Sequence, residues 1–167
     1  MELWDVYDEN RNLIGRTIER DSEIKKGDYH IVIHVCIFNS KGEMLIQHRQ
    51  PFKKGWSDMW DLTVGGSALA GETSTEAAER EMYEEIGYKA DLSGERPAFT
   101  ITFDSGFDDF YIIRREIDLD ELVLQYEEVQ AVKWASKDEI LQMIEDKTFI
   151  WHYDMEKIFQ SYYSIIS

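Results

Sequence analysis

The sequence contains one cysteine, two prolines and no apolar run long enough to cross a membrane. A single cysteine excludes a disulfide within the chain, which fits a reducing compartment and leads us to expect a cytoplasmic protein. The first residues are acidic and polar and lack the basic and apolar segments of a signal peptide. With so little proline and no internal repeat, we expect no linker and one domain over residues 1–167.

Positive charge is also scarce, because 18 Lys and Arg stand against 34 Asp and Glu and give a formal net charge of −16. Such a surface repels nucleic-acid phosphates and anionic lipids, so we expect neither nucleic acid nor a membrane as a partner. A polyanionic small-molecule substrate would need a divalent cation between itself and the protein. The 43% hydrophobic content still predicts a folded core.

Hydrophobic patterning predicts strands that alternate with a few helices. The predicted elements are a hairpin of 3–8 and 13–18, strands at 29–39, 44–49, 60–64 and 129–134, a hairpin of 98–103 and 109–117, and helices at 74–86, about 137–146 and after Asp154. Cys36 lies in the longest apolar strand and is expected to be a core residue. This order predicts an α/β fold in which helices pack on a mixed sheet.

The strongest chemical signal lies in residues 66–88, GSALAGETSTEAAEREMYEEIGY. On a helix, Glu81, Glu84 and Glu85 fall within an arc of about 100° beside an apolar seam. Like charges at this spacing repel one another, whereas a hard divalent cation such as Mg²⁺ takes oxygen ligands. The charges alone fit either a metal site or the solvated face of an acidic protein.

The residues around this helix favour the metal site. Gly65 and Gly66 end a strand where glycine allows the backbone to approach a ligand closely. Glu72 adds a fourth carboxylate in the loop before the helix, and Arg80 can reach either Glu84 at i+4 or Glu72. A cation of this kind holds carboxylates in position without occupying a metal site.

This segment resembles the Nudix box, G-x5-E-x7-R-E-U-x-E-E-x-G-U, where U is apolar. Its positions are filled by Gly66, Glu72, Arg80, Glu81, Met82, Glu84, Glu85, Gly87 and Tyr88. The one departure is the aromatic Tyr88 at a position that is usually aliphatic. The resemblance implies a Nudix-type α/β/α sandwich with an N-terminal hairpin extension at 1–29. It also implies hydrolysis of a diphosphate linkage, often in a nucleoside diphosphate joined to a group X, with Mg²⁺ or Mn²⁺.

The same resemblance implies roles for individual residues. Glu81, Glu84 and Glu85 would hold metal together with the Gly66 carbonyl, and Glu72 would be an orienting or outer ligand. Arg80, Glu81 and Glu84 would belong to the catalytic machinery. The general base differs across the family and is either a box glutamate or one from a later loop.

Glu127 and Glu128, just before the strand at 129–134, are the later-loop candidates for the base, and Glu128 is the favoured one. Both also fit simple solvent exposure. Asp108 and Asp109, placed at the tip of the second hairpin, would meet a second metal or be solvated. Nudix relatives are often dimers, so a homodimer stays open.

Residues 2–90 further resemble the branch that includes isopentenyl-diphosphate isomerases. Those enzymes carry a cysteine acid/base and a histidine in a V-C-G-H run, where this chain has Gly65 and Ser67. Glycine has no proton to donate, so a hydrolase is favoured over an isomerase. A noncatalytic nucleotide-binding module is the remaining alternative.

Cations and aromatic residues in the loop before the box suggest where substrate binds. In the isomerase branch such a loop contacts the diphosphate, and the resemblance assigns this role to Arg49 and Lys54, with Lys53 beside them. All three also fit ordinary solvated cations of a loop. The tryptophans Trp56 and Trp60 fit either stacking on a base or ordinary packing. The residue matching His30 is a metal ligand in the isomerases, but the other members of that site are missing. His34 lies on the same strand face as His30.

Overall fold

Alternating apolar residues build a mixed β-sheet that helices cover on both faces. The computed structural model describes residues 1–166. The strands are β1 Leu3–Tyr7, β2 Leu13–Glu19, β3 His30–Phe38, β4 Met44–Arg49, β5 Trp60–Asp61, β6 Val64–Ser67, β7 Phe99–Phe103, β8 Gly106–Arg114 and β9 Val129–Ala135. The helices are α1 Ser74–Ile86, α2 Lys137–Glu145 and α3 Met155–Ile166, with a 3₁₀ turn at Leu119–Glu121. The α/β expectation is confirmed.

Strand β3 is the centre of the main sheet, in which the strand order is β5-β4-β3-β8-β7. It runs parallel to β8 from the pair His30–Gly106 to the pair Phe38–Arg114 and antiparallel to β6. Strand β9 pairs antiparallel with β4. The parallel and antiparallel pairs together form the mixed sheet that the sequence predicts.

The two faces of β3 belong to two separate core clusters. Ile31, Ile33, Val35 and Ile37 pack toward α1, whereas Cys36 and Phe38 pack toward α2 and α3. Cys36 is fully buried, and burial raises the pKa of its thiol well above the usual value, so it is the core residue that we expected. None of the helices within residues 1–166 has both the length and the hydropathy needed to span a bilayer.

The prediction of one strand at 60–64 is wrong, because this segment divides between two partners. β5 pairs with β4, whereas β6 pairs with β3. Between them, Thr63 accepts a hydrogen bond from the Ile37 N–H at 3.0 Å and donates its hydroxyl to the Leu45 carbonyl. The side chain of Thr63 thus bridges β3 and β4, whose only direct partner pair is Phe38 with Met44.

The second hairpin also differs from expectation, since β8 begins at Gly106 and includes Asp108 and Asp109. Neither residue lies at a solvated tip. Asp109 is fully buried and accepts hydrogen bonds from Arg11 at 2.8 and 2.5 Å, from Ser74 at 2.5 Å and from Thr100 at 2.6 Å. Its carboxylate therefore ties the N-terminal hairpin, the start of α1 and β7 together.

Candidate active site

Helix α1 presents its carboxylates because both of its ends and one face are fixed. Thr73 and Glu76 form a capping box at its start, and Gly87 ends it with φ at 70°. Its buried stripe includes Ala78 and Met82, as the apolar seam predicts. The acidic side chains therefore project from the neighbouring face of α1, beside β6.

A cavity of about 300 Å³ lies beside this face, and its lining is almost entirely polar. Glu81, Glu84 and Glu85 line it from α1, together with Arg49 at the end of β4 and Lys53 from the loop that follows. The remaining lining residues are Glu2, Arg20, Gly65, Gly66, Ser67, Gln125 and Glu128. The structure thus brings the box glutamates and two of the proposed diphosphate-binding cations to one cavity.

Arg80 holds the carboxylates around this cavity. Its guanidinium donates to both oxygens of Glu72, at 2.6 and 3.0 Å, and to the Ser67 carbonyl at 3.1 Å. It also donates to Glu81 at 3.0 Å and to Glu84 at 3.1 Å. Both partners considered from the sequence, Glu72 and Glu84, are therefore contacted at once. The oxygens of Glu72 accept hydrogen bonds from Arg80 and from the Leu69 N–H. Glu72 is therefore turned away from the cavity and is not one of its lining residues.

Two of the box glutamates are strongly desolvated. Burial raises the pKa of Glu81 to about 7, against the lowering effect of Arg80. Glu85 is 8% exposed, and burial together with the negative charges of Glu81 and Glu128 raises its pKa well above the usual value. The buried amide of Gln47 donates to Glu85 at 3.3 Å and to the Thr63 carbonyl at 2.8 Å. In the metal-free protein the surroundings of these two side chains therefore favour the neutral carboxyl over the carboxylate.

The two glycines of β6 allow close contacts on opposite sides of the strand. A Cβ atom at Gly66 would lie 2.6 Å from Cδ of Glu81, so a side chain there would displace that carboxylate. A Cβ atom at Gly65 would lie 2.7 Å from Cδ2 of His34. A side chain at the position that holds a cysteine in the isomerases would therefore require the His34 ring to move.

The loop after β4 separates the cations that we expected to bind substrate. Lys53 is ion-paired with Glu128 at the cavity, and Arg49 donates to the carbonyls of Trp56 and Gly55, both at 3.2 Å. Lys54 and Trp56 are exposed and do not line the cavity. Arg49 and Lys53 line the cavity and Lys54 and Trp56 do not, and a substrate role for each of the four stays a prediction.

The remaining candidates also divide into residues that line the cavity and residues that do not. Glu128 lines the cavity, whereas Glu127 is exposed outside it. Trp60 stacks on His48 with ring centroids 4.5 Å apart, which fits packing rather than substrate stacking. His30 stacks on Trp4 at 4.3 Å and lies outside the cavity.

His34 also has a partner away from the box. Its Nδ1 lies 2.8 Å from a carboxylate oxygen of Asp108, and its ring stacks on Phe110 with centroids 4.9 Å apart. Asp108 is thus engaged with a histidine on the β3 face opposite α1. The structure gives neither residue a place in the cavity.

Sequence reasoning missed several lining and supporting residues. Arg20 and Glu2 come from the N-terminal hairpin, where they form an ion pair at 2.9 Å, and Gln125 comes from the loop before β9. Gln47 supports Glu85 by donating a hydrogen bond to its carboxylate. The only sign in the sequence was that cations are rare, which makes Arg20 as conspicuous as Arg49. Glu2, Gln125 and Gln47 have no local sequence feature that points to the site.

The donor set of the cavity fits a hard divalent cation. It offers carboxylate oxygens and the backbone of Gly66 and no sulfur or imidazole, which is the ligand chemistry of Mg²⁺ and Mn²⁺. As the side chains stand within residues 1–166, no group of three or more His, Cys, Asp or Glu is arranged to hold a metal ion. Glu81 and Glu84 face Arg80 instead, so ligation requires these two flexible side chains to rotate.

Comparison with known proteins agrees with this site. The profile of the NUDIX domain matches residues 28–155. An uncharacterized Nudix hydrolase of Listeria monocytogenes is 46% identical over 159 residues, covering 95% of this chain and 94% of the relative. An isopentenyl-diphosphate Delta-isomerase of Pectobacterium atrosepticum is 32% identical over 143 residues, covering 82% and 78%.

A solved structure shows the same fold. The crystal structure of a Deinococcus radiodurans protein, DR0079, superposes with a TM-score of 0.76 at 23% identity and covers 96% of this chain and 99% of its own. The profile match, the Listeria relative and the filled box agree with one another. The chain therefore belongs to the Nudix hydrolase family.

Proposed function

We propose that this protein hydrolyses a diphosphate linkage in a nucleoside diphosphate or a related nucleoside diphosphate compound, with Mg²⁺ or Mn²⁺ as cofactor. The observation that carries the proposal is the single cavity lined by Glu81, Glu84 and Glu85 and also by Arg49 and Lys53. Carboxylates and cations in one cavity suit a metal-bound phosphate group better than either group would alone.

Glu81, Glu84 and Glu85, with the Gly66 carbonyl, would hold the cation. When bound, the cation would neutralise phosphate charge and make a water molecule more acidic. Arg80 keeps Glu81 and Glu84 next to each other before ligation. Arg49 and Lys53 bind phosphate oxygens in the same cavity and stabilise the negative charge that develops on the leaving group.

Glu128 is our proposed general base. It lines the cavity from the loop before β9, away from the helix that carries the metal ligands. A carboxylate that ligates a divalent cation is a weak base, because the cation favours its ionised form. The pairing with Lys53 fixes the position of Glu128, and transfer of Lys53 to a substrate phosphate would free the carboxylate to accept a proton from water.

The isomerase alternative lacks its acid/base group, since Gly65 has no side chain and one at this position would displace the His34 ring. A deuterium-exchange measurement on isopentenyl diphosphate tests this directly. We expect no exchange above the rate without enzyme.

The main test is a phosphate-release screen with and without Mg²⁺ over nucleoside diphosphates, sugar nucleotides, dinucleotides and coenzyme A derivatives. We expect metal-dependent turnover that Glu84→Gln or Glu85→Gln lowers on the order of 100-fold or more. The matched control is Glu145→Gln, which changes an exposed helical glutamate on α2 and should leave turnover unchanged. Turnover of no diphosphate, or near-normal activity in both box variants, would contradict the proposal.

The base assignment needs its own measurement. Glu128→Gln should lower kcat while Mn²⁺ binding, followed by titration calorimetry, stays close to that of the unmodified protein. Equal losses of Mn²⁺ affinity in Glu128→Gln and Glu84→Gln would instead make Glu128 a ligand.

A further inference from the structure

An apolar groove of about 430 Å³ opens beside the catalytic cavity. Tyr83, Val123 and Leu124 form its walls, and Glu84 and Gln125 line both the groove and the cavity. The groove and the cavity are therefore adjacent, so one ligand can place its phosphates in the cavity and extend past Glu84 and Gln125 into the groove.

The groove is built rigidly onto the helix that carries the box glutamates. The Val123 N–H donates to the Ile86 carbonyl at 3.0 Å, and the Gln125 N–H donates to the Glu85 carbonyl at 2.9 Å. Gly87 makes this approach feasible, because a Cβ atom there would lie 2.7 Å from the Val123 nitrogen. The loop at 122–125 thus keeps a fixed position relative to the catalytic residues.

The cavity and the groove differ in chemistry. The cavity lining contains charged and amide side chains, a serine and glycines, and it offers a ligand no aromatic ring. In the groove, Tyr83 is 61% exposed and Val123 is 71% exposed. Exposed apolar side chains gathered beside a polar site are typical of a ligand surface rather than of a folding requirement.

We propose that this groove binds the nucleobase of the substrate, with the base packed on the ring of Tyr83. The inference rests on the proposed diphosphate hydrolysis and adds the group that is recognised next to the phosphates. A flat heterocycle fits because the walls offer an aromatic face, while the Gln125 amide at the shared edge both donates and accepts hydrogen bonds. A purely hydrocarbon chain would leave that amide unused.

The first experiment separates the base from the phosphates. Tyr83→Ser should raise KM for the preferred nucleoside diphosphate about 10-fold or more, since stacking on an aromatic side chain contributes strongly to binding of a base. The inhibition constant of inorganic pyrophosphate, which has no base, should change less than about twofold, because the charges of the cavity are retained. Tyr83→Phe keeps the ring and should restore KM. Tyr163→Ser is the matched control, because it removes a half-exposed tyrosine from a different helix, α3.

A second experiment needs neither metal nor turnover. Saturation-transfer NMR with adenosine, guanosine, cytidine and uridine in EDTA should show binding of at least one nucleoside, which Tyr83→Ser abolishes and Tyr163→Ser preserves. Nucleoside diphosphate kinetics unaffected by Tyr83→Ser would overturn the groove assignment and leave the hydrolase proposal intact. Nucleoside binding without any diphosphate turnover would support the groove and contradict the hydrolase proposal.

Discussion

Replacing Arg80 by methionine should destabilise the metal-free protein markedly. Its guanidinium donates five hydrogen bonds, two of them as a bidentate pair with Glu72. Methionine keeps much of the apolar stem and removes only the charged donors. The affected carboxylates are largely shielded from water, since the side chains of Glu72 and Glu81 are 18% and 15% exposed.

The size of the loss follows from this burial. Removing one member of a buried ion pair costs about 3–5 kcal/mol, whereas an exposed pair contributes about 0–1 kcal/mol. Glu84 is 49% exposed and adds little, and Glu72 keeps its hydrogen bond from the Leu69 N–H. We therefore expect Arg80→Met to lower the free energy of unfolding by about 2–4 kcal/mol.

Urea denaturation in EDTA measures this loss of stability. A double-mutant cycle of Arg80→Met with Glu72→Gln isolates the contribution of the ion pair between Arg80 and Glu72. The coupling between the two changes should be about 1–3 kcal/mol. Arg115→Met is the control, because Arg115 lies 4.0 Å from the half-exposed Glu95 and should cost less than about 0.5 kcal/mol. A loss below about 1 kcal/mol for Arg80→Met, or no coupling to Glu72, would refute the reasoning.

Three further predictions concern other parts of the fold. Gly65→Ala should cost about 1–3 kcal/mol in urea denaturation because its Cβ overlaps His34, and the penalty should shrink when His34 is also alanine. Burial raises the pKa of Asp109, but hydrogen bonds from Arg11 and two hydroxyl groups outweigh this effect and leave it lowered. Its contribution to stability is therefore complete above about pH 4 and is lost as the pH falls, so Asp109→Asn should flatten the acid limb of a plot of unfolding free energy against pH. Thr73→Ala removes the cap of α1 and should lower stability by about 1 kcal/mol, seen as a Tm about 2–4 °C lower.

Local signals explain which parts of the fold could be predicted. The capping box at Thr73 and the glycine at the end of α1 fixed both ends of that helix, and the apolar run of β3 marked the central strand. Strand pairing has no such local signal. The split at Thr63, where the segment moves from β4 to β3, depends on hydrogen bonds to residues 18 and 26 positions away.

The same distinction applies to the site. The glutamates of α1 share one helix, so their spacing alone placed them on a common face. Glu2, Arg20 and Gln125 reach the cavity from distant segments through tertiary packing, which no spacing rule encodes. The resemblance assigned the diphosphate role to Lys54 rather than to its neighbour Lys53, whereas tertiary packing places Lys53 at the cavity, paired with Glu128.

The hydrogen bonds between Arg11 and Asp109 have a practical consequence for expression of shorter chains. The family profile begins at residue 28, so a protein trimmed to that match would keep Asp109 without the Arg11 guanidinium that pairs with it. Leaving that carboxylate without its cationic partner would destabilise the truncated product. Domain boundaries taken from the family profile alone therefore omit Arg11, the partner of a carboxylate in the retained domain.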